Sequence, residues 1–267
     1  MADSFQPPLT KRLRRHIAPL LRRVIPSHLP MTGPYGSYAE ALADASGYDS
    51  PMVVQQVEDA TLAVLEGRAA YERDGTAFQA RPDLAIYKVI RDVVTPHSTI
   101  ADFGGGLGGL FISAPELFPQ SCRLLVIEQA SMVETGLRLA RTHRLQLEFL
   151  DSGEQTVPPL DVLIFSSVLQ YLSDPWATVE RVIRSCAPKV VIIDRTAIRR
   201  GTSRWYLQTN AGYYEESVTY PVQVLERRRL LRAFSGYRPV QHWHNTFDPG
   251  RPAHIGMLLT RDDATGP

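Results

Sequence analysis

Downstream of Pro96 the chain alternates short apolar runs with amphipathic stretches. Ile100 to Phe103 is a short apolar run, and the spacing over Leu107 to Leu117 predicts a helix. "CRLLVIEQ" reads as a buried strand ending at Glu128, Ser131 to His143 as a helix and "LQLEFLD" as a strand. "DVLIFSS", a helix over Pro175 to Ser185 and "KVVIIDRT", the fifth strand, complete the strand–helix alternation. Runs that are apolar throughout, rather than at alternate positions, fit strands of a parallel sheet covered on both faces. The C-terminal part then changes pattern. A helix over Val222 to Phe234 stops at Gly236, and a strand follows. The turn-rich "DPGRPA" leads to a last strand, "HIGMLLTR". Two strands joined by a short turn are antiparallel neighbours. The pattern predicts a doubly wound α/β sheet of five parallel strands with a C-terminal antiparallel hairpin.

Upstream of Pro96 the elements are helical. Thr10 to Pro26 carries Lys11, Arg12, Arg14, Arg15, Arg22 and Arg23 and no acid. Leu9, Leu13, Ile17, Leu20, Leu21 and Val24 recur at helical spacing, and Pro19 and Pro26 limit the helix. A basic amphipathic helix over residues 9–25 can dock its apolar stripe on the domain. It can equally lie on an anionic membrane surface, giving peripheral contact at the inner face. Met31 to Ser50 reads as a connector with a short helix over Tyr38 to Ala45. Ser50 and Pro51 are an N-cap and first-turn pair for a helix whose apolar face includes Val53, Val57, Ala60 and Val64. "RAAYERDGTAF" leads to another helix near Leu84 to Val94. Residues 1–95 are thus expected to form a basic helix and a helical lid, and residues 96–267 the main domain, in one compact unit.

A formal net charge of +1 over 267 residues argues against a nucleic-acid footprint, so no DNA partner is expected. Cys122 and Cys186 show no C-x-x-C spacing and read as free thiols of a reducing compartment. With no apolar run of spanning length and no signal-peptide core, a soluble cytoplasmic protein is expected. His242 and His244 form an isolated H-x-H without a carboxylate partner, so no metal is expected.

"DFGGGLGG" satisfies two nucleotide-loop patterns. Gly104, Gly106 and Gly109 give G-x-G-x-x-G, which points to NAD or FAD. Asp102, Gly104, Gly106 and Gly108 give D-x-G-x-G-x-G, with Gly105 between, the loop of S-adenosyl-L-methionine (SAM) enzymes. Both need a tight turn where backbone approaches a nucleoside, and an acid at the next strand tip for the ribose. Glu128, followed by Gln129, supplies that acid. Asp102 separates the two patterns. A carboxylate repels a pyrophosphate but favours a ligand carrying a sulfonium and an ammonium. Asp151, at the third strand tip, can receive the adenine amine or can cap the following turn, as can Ser152.

"LDVLIFSSVLQYLSDPW" resembles the fourth-strand region of class I SAM-dependent methyltransferases, with Gln170 and Tyr171 where two histidines are common. "LRAFSGYRPV" resembles the passage into their sixth strand. A narrower resemblance joins "YGSYAEALADASGYDS", "GRAAYERDGTAF", "DFGGGLGG", "VIEQASMVETG", "SSVLQYLSDP" and "IIDRT". Together these look like a family of SAM-dependent methyltransferases often encoded with bacterial surface-polysaccharide genes. The resemblance implies a Rossmann-like fold, SAM as cofactor and, by analogy, a sugar or lipid-linked glycan as acceptor. The absence of [DN]-P-P-[YFW] after the fourth strand argues against nucleobase or glutamine amino-group methylation.

Methyl transfer is an in-line displacement that depends on alignment and exclusion of water, with a base where the acceptor is a hydroxyl. Ser166, Ser167, Gln170, Tyr171, Asp194 and Arg195 stand at the carboxyl ends of the fourth and fifth strands, where ligands of such sheets bind. Asp194 is the first candidate base or orienting group; a salt bridge with Arg195 explains it as well. Ala197 to Pro221 reads as a long connection holding Trp205, Tyr206, Gln208, Tyr213, Tyr214 and Tyr220 beside Arg199, Arg200 and Arg204. It suits an anionic sugar ring or single-stranded RNA, or is simply a packed lid. "YERD" is expected to fold over the cofactor pocket, with Tyr71 or Arg73 near the methionyl group. These readings converge on O-methylation of a saccharide or glycan precursor. The alternatives are methylation of a small molecule or lipid, and a SAM- or nucleotide-binding module without catalysis. NAD-dependent reduction is disfavoured by Asp102 and by the lack of a Ser…Tyr-x-x-x-Lys arrangement.

Overall fold

The computed structural model describes residues 31–46, 51–153, 157–210, 218–245 and 253–262. The basic segment 9–25, Ser50 and Tyr214 lie outside the described residues. Three short strands come first: β1 (Met31–Tyr35), β2 (Tyr71–Arg73) and β3 (Thr76–Phe78). The main run is β4 (Thr99–Phe103), β5 (Arg123–Glu128), β6 (Leu147–Asp151), β7 (Val162–Ser166) and β8 (Val190–Arg199). It is followed by β9 (Arg204–Asn210), β10 (Val218–Glu226), β11 (Tyr237–Asn245) and β12 (Ala253–Arg261).

The central sheet runs β6-β5-β4-β7-β8, all parallel, and β12 and β11 close it antiparallel beside β8. This is the expected doubly wound Rossmann-like sheet with a C-terminal hairpin. Strand pleating sends alternate side chains to opposite faces. Ala101, Phe103, Leu163, Phe165, Val191 and Ile193 pack under helices Pro175–Cys186 and Arg227–Ala233. Ile100, Val126, Ile164 and Ile192 pack under helix Ala85–Val93 and the Phe111–Phe118 segment. Both faces are dry, which is why the strands are apolar throughout. Asp174 caps helix Pro175–Cys186 by accepting from the N–H groups of Trp176 (3.1 Å) and Ala177 (3.0 Å).

Four expectations are corrected. The helix over Leu107 to Leu117 is only Gly109–Ser113, followed by a separate turn at Pro115–Leu117. Pro115 has no N–H to continue it and forces the preceding residue out of helical geometry. Met31–Tyr35, expected within a connector, is a strand antiparallel to β9. The connection from Ala197 to Pro221 is largely strand: β8 runs on to Arg199, and β9 pairs with β10. Val222 to Glu226 belongs to β10, so the helix starts only at Arg227. Val222, Val224 and Leu225 are buried and paired, and that pairing outweighs their helical spacing.

Beyond Asp194, where β7 ends, the flank of β8 is taken over by β10 at Ile198 and Arg199. β10, β9 and β1 thus continue the sheet past the carboxyl end of β7. Helix Pro51–Leu65 flanks the same edge. Its Val53 and Val57 pack with Leu107, Met132, Val218 and Tyr220. Arg138 binds its Glu58 through two N–H donors at 2.7 and 2.6 Å. No described helix is long and apolar enough to cross a membrane.

Candidate functional site

A cavity of about 560 Å³ opens between the carboxyl edge of the sheet and these covering elements, a volume ordinary for a small-molecule site. β4 enters it through the glycine loop. Gly104 has φ +75°, and a Cβ there would sit 2.3 Å from Val168 Cγ2. A Cβ on Gly105 would stand 2.8 Å from Asp102 Oδ2. The loop can therefore pass close to both neighbours only as glycine. Gly104, Gly105 and Gly106 line the cavity; Gly108 does not, serving instead as the left-handed residue before helix Gly109–Ser113.

Asp102 lines the cavity at 4% exposure. Burial pushes its carboxyl up to about 7, against the pull of Arg195 and with a further push from Glu128. Its Oδ1 is buried without a hydrogen-bond partner among the described residues. Glu128, one strand over, is fixed by two backbone donors: Gly106 N–H to Oε1 at 3.1 Å and Gln129 N–H to Oε2 at 2.7 Å. Gln129 and Ser152 also line the cavity. Asp151 does not; its Oδ1 accepts from Gly153 N–H at 2.7 Å and caps the turn.

The β2–β3 hairpin brings Tyr71, Glu72, Arg73 and Asp74 to the cavity wall. Glu72 was not legible as a site residue. Burial lifts its carboxyl to about 7, opposed by the hydrogen bond from Gly75 N–H at 2.9 Å, and its side chain lies against Gly109.

On the β7 and β8 side, Ser166, Ser167, Gln170, Tyr171 and Arg195 line the cavity. The first candidate base, Asp194, does not. Its buried carboxylate accepts from Trp243 Nε1 (2.8 Å), Asn245 Nδ2 (3.1 Å) and Ser166 Oγ (3.3 Å), and faces Arg195 Nε at 3.3 Å. Trp243 and Asn245 come from β11, far along the chain, and nothing near Asp194 signals them. Tyr171 meets Tyr220 edge-on at 5.5 Å, and Gln208 donates to Tyr220 Oη at 2.7 Å. Gln208 and Tyr220 line the cavity, whereas Trp205 and Tyr206 do not. Trp205 packs edge-on against Tyr38 at 5.2 Å.

No family model matches the chain, and no curated protein matches it. Solved structures do. The [4+2]-cyclase SpnF aligns at a TM-score of 0.53 with 13% identity, over 81% of this chain and 99% of its own. The Burkholderia thailandensis 1,6-didemethyltoxoflavin-N1-methyltransferase, solved with S-adenosylhomocysteine, aligns at 0.49 with 12% identity, over 89% and 97%. A SAM-dependent methyltransferase from Aquifex aeolicus aligns at 0.48 with 14% identity, over 79% and 98%. The strand order, with its antiparallel hairpin beside β8, is a Rossmann-like fold shared with SpnF. A fold shared with a cyclase does not name a reaction; the chemistry has to be read from the site.

Proposed function

We propose that the protein is a SAM-dependent methyltransferase that O-methylates a small polar acceptor, a saccharide or glycan precursor. The observation that carries this reading is Asp102, a buried carboxylate with an unpartnered oxygen at the glycine loop. A pyrophosphate cofactor would be repelled there, whereas an ammonium or sulfonium satisfies both the charge and the bare oxygen. Bound SAM would supply an electrophilic methyl group on sulfur. Glu128, its carboxylate oriented by two amides, has lone pairs left for ribose hydroxyls. Tyr71 and Arg73 cover the methionyl end from the β2–β3 hairpin.

On the acceptor side Tyr171, Tyr220 and Gln208 supply apolar faces with hydroxyl and amide groups, the mixture a sugar ring uses. Glu72, like Asp102, lines the cavity with a carboxyl that can hold or release a proton near neutrality, which suits assistance to a hydroxyl. Asp194 orients Arg195 in this scheme. The sequence resemblance adds surface-polysaccharide biosynthesis as the setting. Calorimetric titration with S-adenosylhomocysteine and with NAD tests the cofactor, and labelled methyl transfer onto a saccharide panel tests the reaction. Binding of S-adenosylhomocysteine but not NAD is expected. Binding of NAD alone overturns the proposal, and cofactor binding without transfer to any acceptor leaves a binding module.

A further inference from the structure

Among the described residues, three buried polar atoms on two side chains that line the cavity have no hydrogen-bond partner: Arg195 Nε and Nη1, and Gln170 Oε1. The groups around each show that they are held in place. Arg195 stands in left-handed backbone, φ +49°, opposite Ser167 at φ +60°, a strained geometry that persists only where its surroundings enforce it. Asp194 faces Arg195 Nε at 3.3 Å, and Arg195 Nη2 donates to Ser166 Oγ at 3.0 Å. Asp194 is itself anchored by Trp243 and Asn245. One side of the guanidinium is therefore fixed, and Nη1 is left with two N–H groups and no hydrogen-bond acceptor among the described residues. Burial works against the positive charge, but Tyr71, Asp194 and Asp74 together hold the pKa above the ordinary arginine value. Gln170 is 1% exposed. Its Nε2 donates to Arg195 O at 3.1 Å and Ser167 Oγ at 3.3 Å, which fixes Oε1 as an acceptor.

We propose, resting on the methyltransferase reading, that the acceptor carries a carboxylate or phosphate that Arg195 Nη1 binds, beside a hydroxyl that donates to Gln170 Oε1. A sugar acid or sugar phosphate has both. A guanidinium fixed on one side presents its remaining donors in a geometry that matches an oxyanion, and its charge makes those bonds stronger than neutral ones. The other anion to consider is the carboxylate of SAM itself. Arg195 on β8 is three strands from Glu128 on β5, about 14 Å at the usual strand spacing. That span separates Arg195 from the ribose contact, but Tyr71 and Asp102 at the methionyl end both interact with Arg195, so comparison with 5′-methylthioadenosine is what separates the two anions.

The test is calorimetry on the full chain saturated with S-adenosylhomocysteine. The probes are D-glucuronate, D-galacturonate and D-glucose 6-phosphate against D-glucose and D-galactose. At least one anionic probe is expected to bind about tenfold or more tightly than its neutral counterpart, as a charged hydrogen bond requires. Arg195→Met should erase that preference while leaving affinity for S-adenosylhomocysteine within about threefold. Equal binding of anionic and neutral sugars by the unaltered protein overturns the proposal without any variant. So does an Arg195→Met protein that loses S-adenosylhomocysteine but keeps 5′-methylthioadenosine, which lacks the carboxylate; Arg195 would then hold the cofactor. Failure of the unaltered protein to bind S-adenosylhomocysteine at all would sink the methyltransferase reading and this one with it. Binding without an anionic preference sinks this one alone.

Discussion

At residue scale, Asp102 concentrates the chemistry of the cofactor side. With its carboxyl near 7 in the unliganded protein, a sizeable fraction is protonated at pH 6 to 7. A cationic ligand favours the ionised form, so binding there must release a proton. Calorimetry of S-adenosylhomocysteine at pH 6.5 in buffers of different ionisation enthalpy should show that release, up to about one proton per site. Asp102→Asn should abolish it and weaken binding at least tenfold, the ~1.5–3 kcal/mol of a charged hydrogen bond. Unchanged affinity and unchanged proton release would remove Asp102 from the site. Asp102 was legible because an acid interrupts an otherwise apolar strand run. Glu72 was not, because "YERD" carries three charges in a row after Tyr71 and Glu72 becomes half-buried only when the hairpin folds onto Gly109. Asp194 was noticed for the same reason as Asp102, at the end of an apolar run. Its partners Trp243 and Asn245 arrive by tertiary pairing that no local pattern encodes.

At the scale of elements, the parallel strands were legible because burial on both faces leaves a continuous apolar run. The edge strands were not. β9 and β10 mix aromatic, polar and β-branched residues, and Val222 to Leu225 fits helical and extended spacing alike. Only pairing with β8 and β9 decides it. β9 and β10 bring Gln208 and Tyr220 into the cavity, so part of the acceptor wall depends on them. The covering helix Pro51–Leu65 depends in turn on the two-donor contact between Arg138 and Glu58. Glu58 is buried while Arg138 is largely exposed, so removing the arginine leaves a carboxylate without that counterion in a dry place. Arg138→Ala should raise hydrogen exchange several-fold in the Pro51–Leu65 helix and leave β4 and β5 protected. Uniform loss of protection would mean that the helix is part of the global core rather than a separable cover.

At the scale of the whole molecule, the cavity sets the pH dependence of stability. Asp102 and Glu72 each titrate near 7 when folded, against ordinary values of 3.8 and 4.5. Between roughly pH 4 and 7 the folded chain therefore holds protons that the unfolded chain has released, and stability falls as pH rises through that window. Carboxylates held down by a neighbouring arginine, such as Glu116 beside Arg81 and Glu148 beside Arg123, act with the opposite sign and at lower pH. Stability of the unliganded protein should thus rise with pH under acid conditions, then decline toward neutrality. Urea unfolding at pH 5.5 and 8.0 measures the decline, and Asp102→Asn and Glu72→Gln should each reduce it. The ligand reverses the sign. S-adenosylhomocysteine binds the ionised form of Asp102, so its stabilising effect should be larger at pH 8.0 than at 5.5 at equal concentration. A ligand effect independent of pH would mean that the ammonium is held elsewhere. The fold would then tolerate the buried Asp102 for some reason other than a cation that it faces.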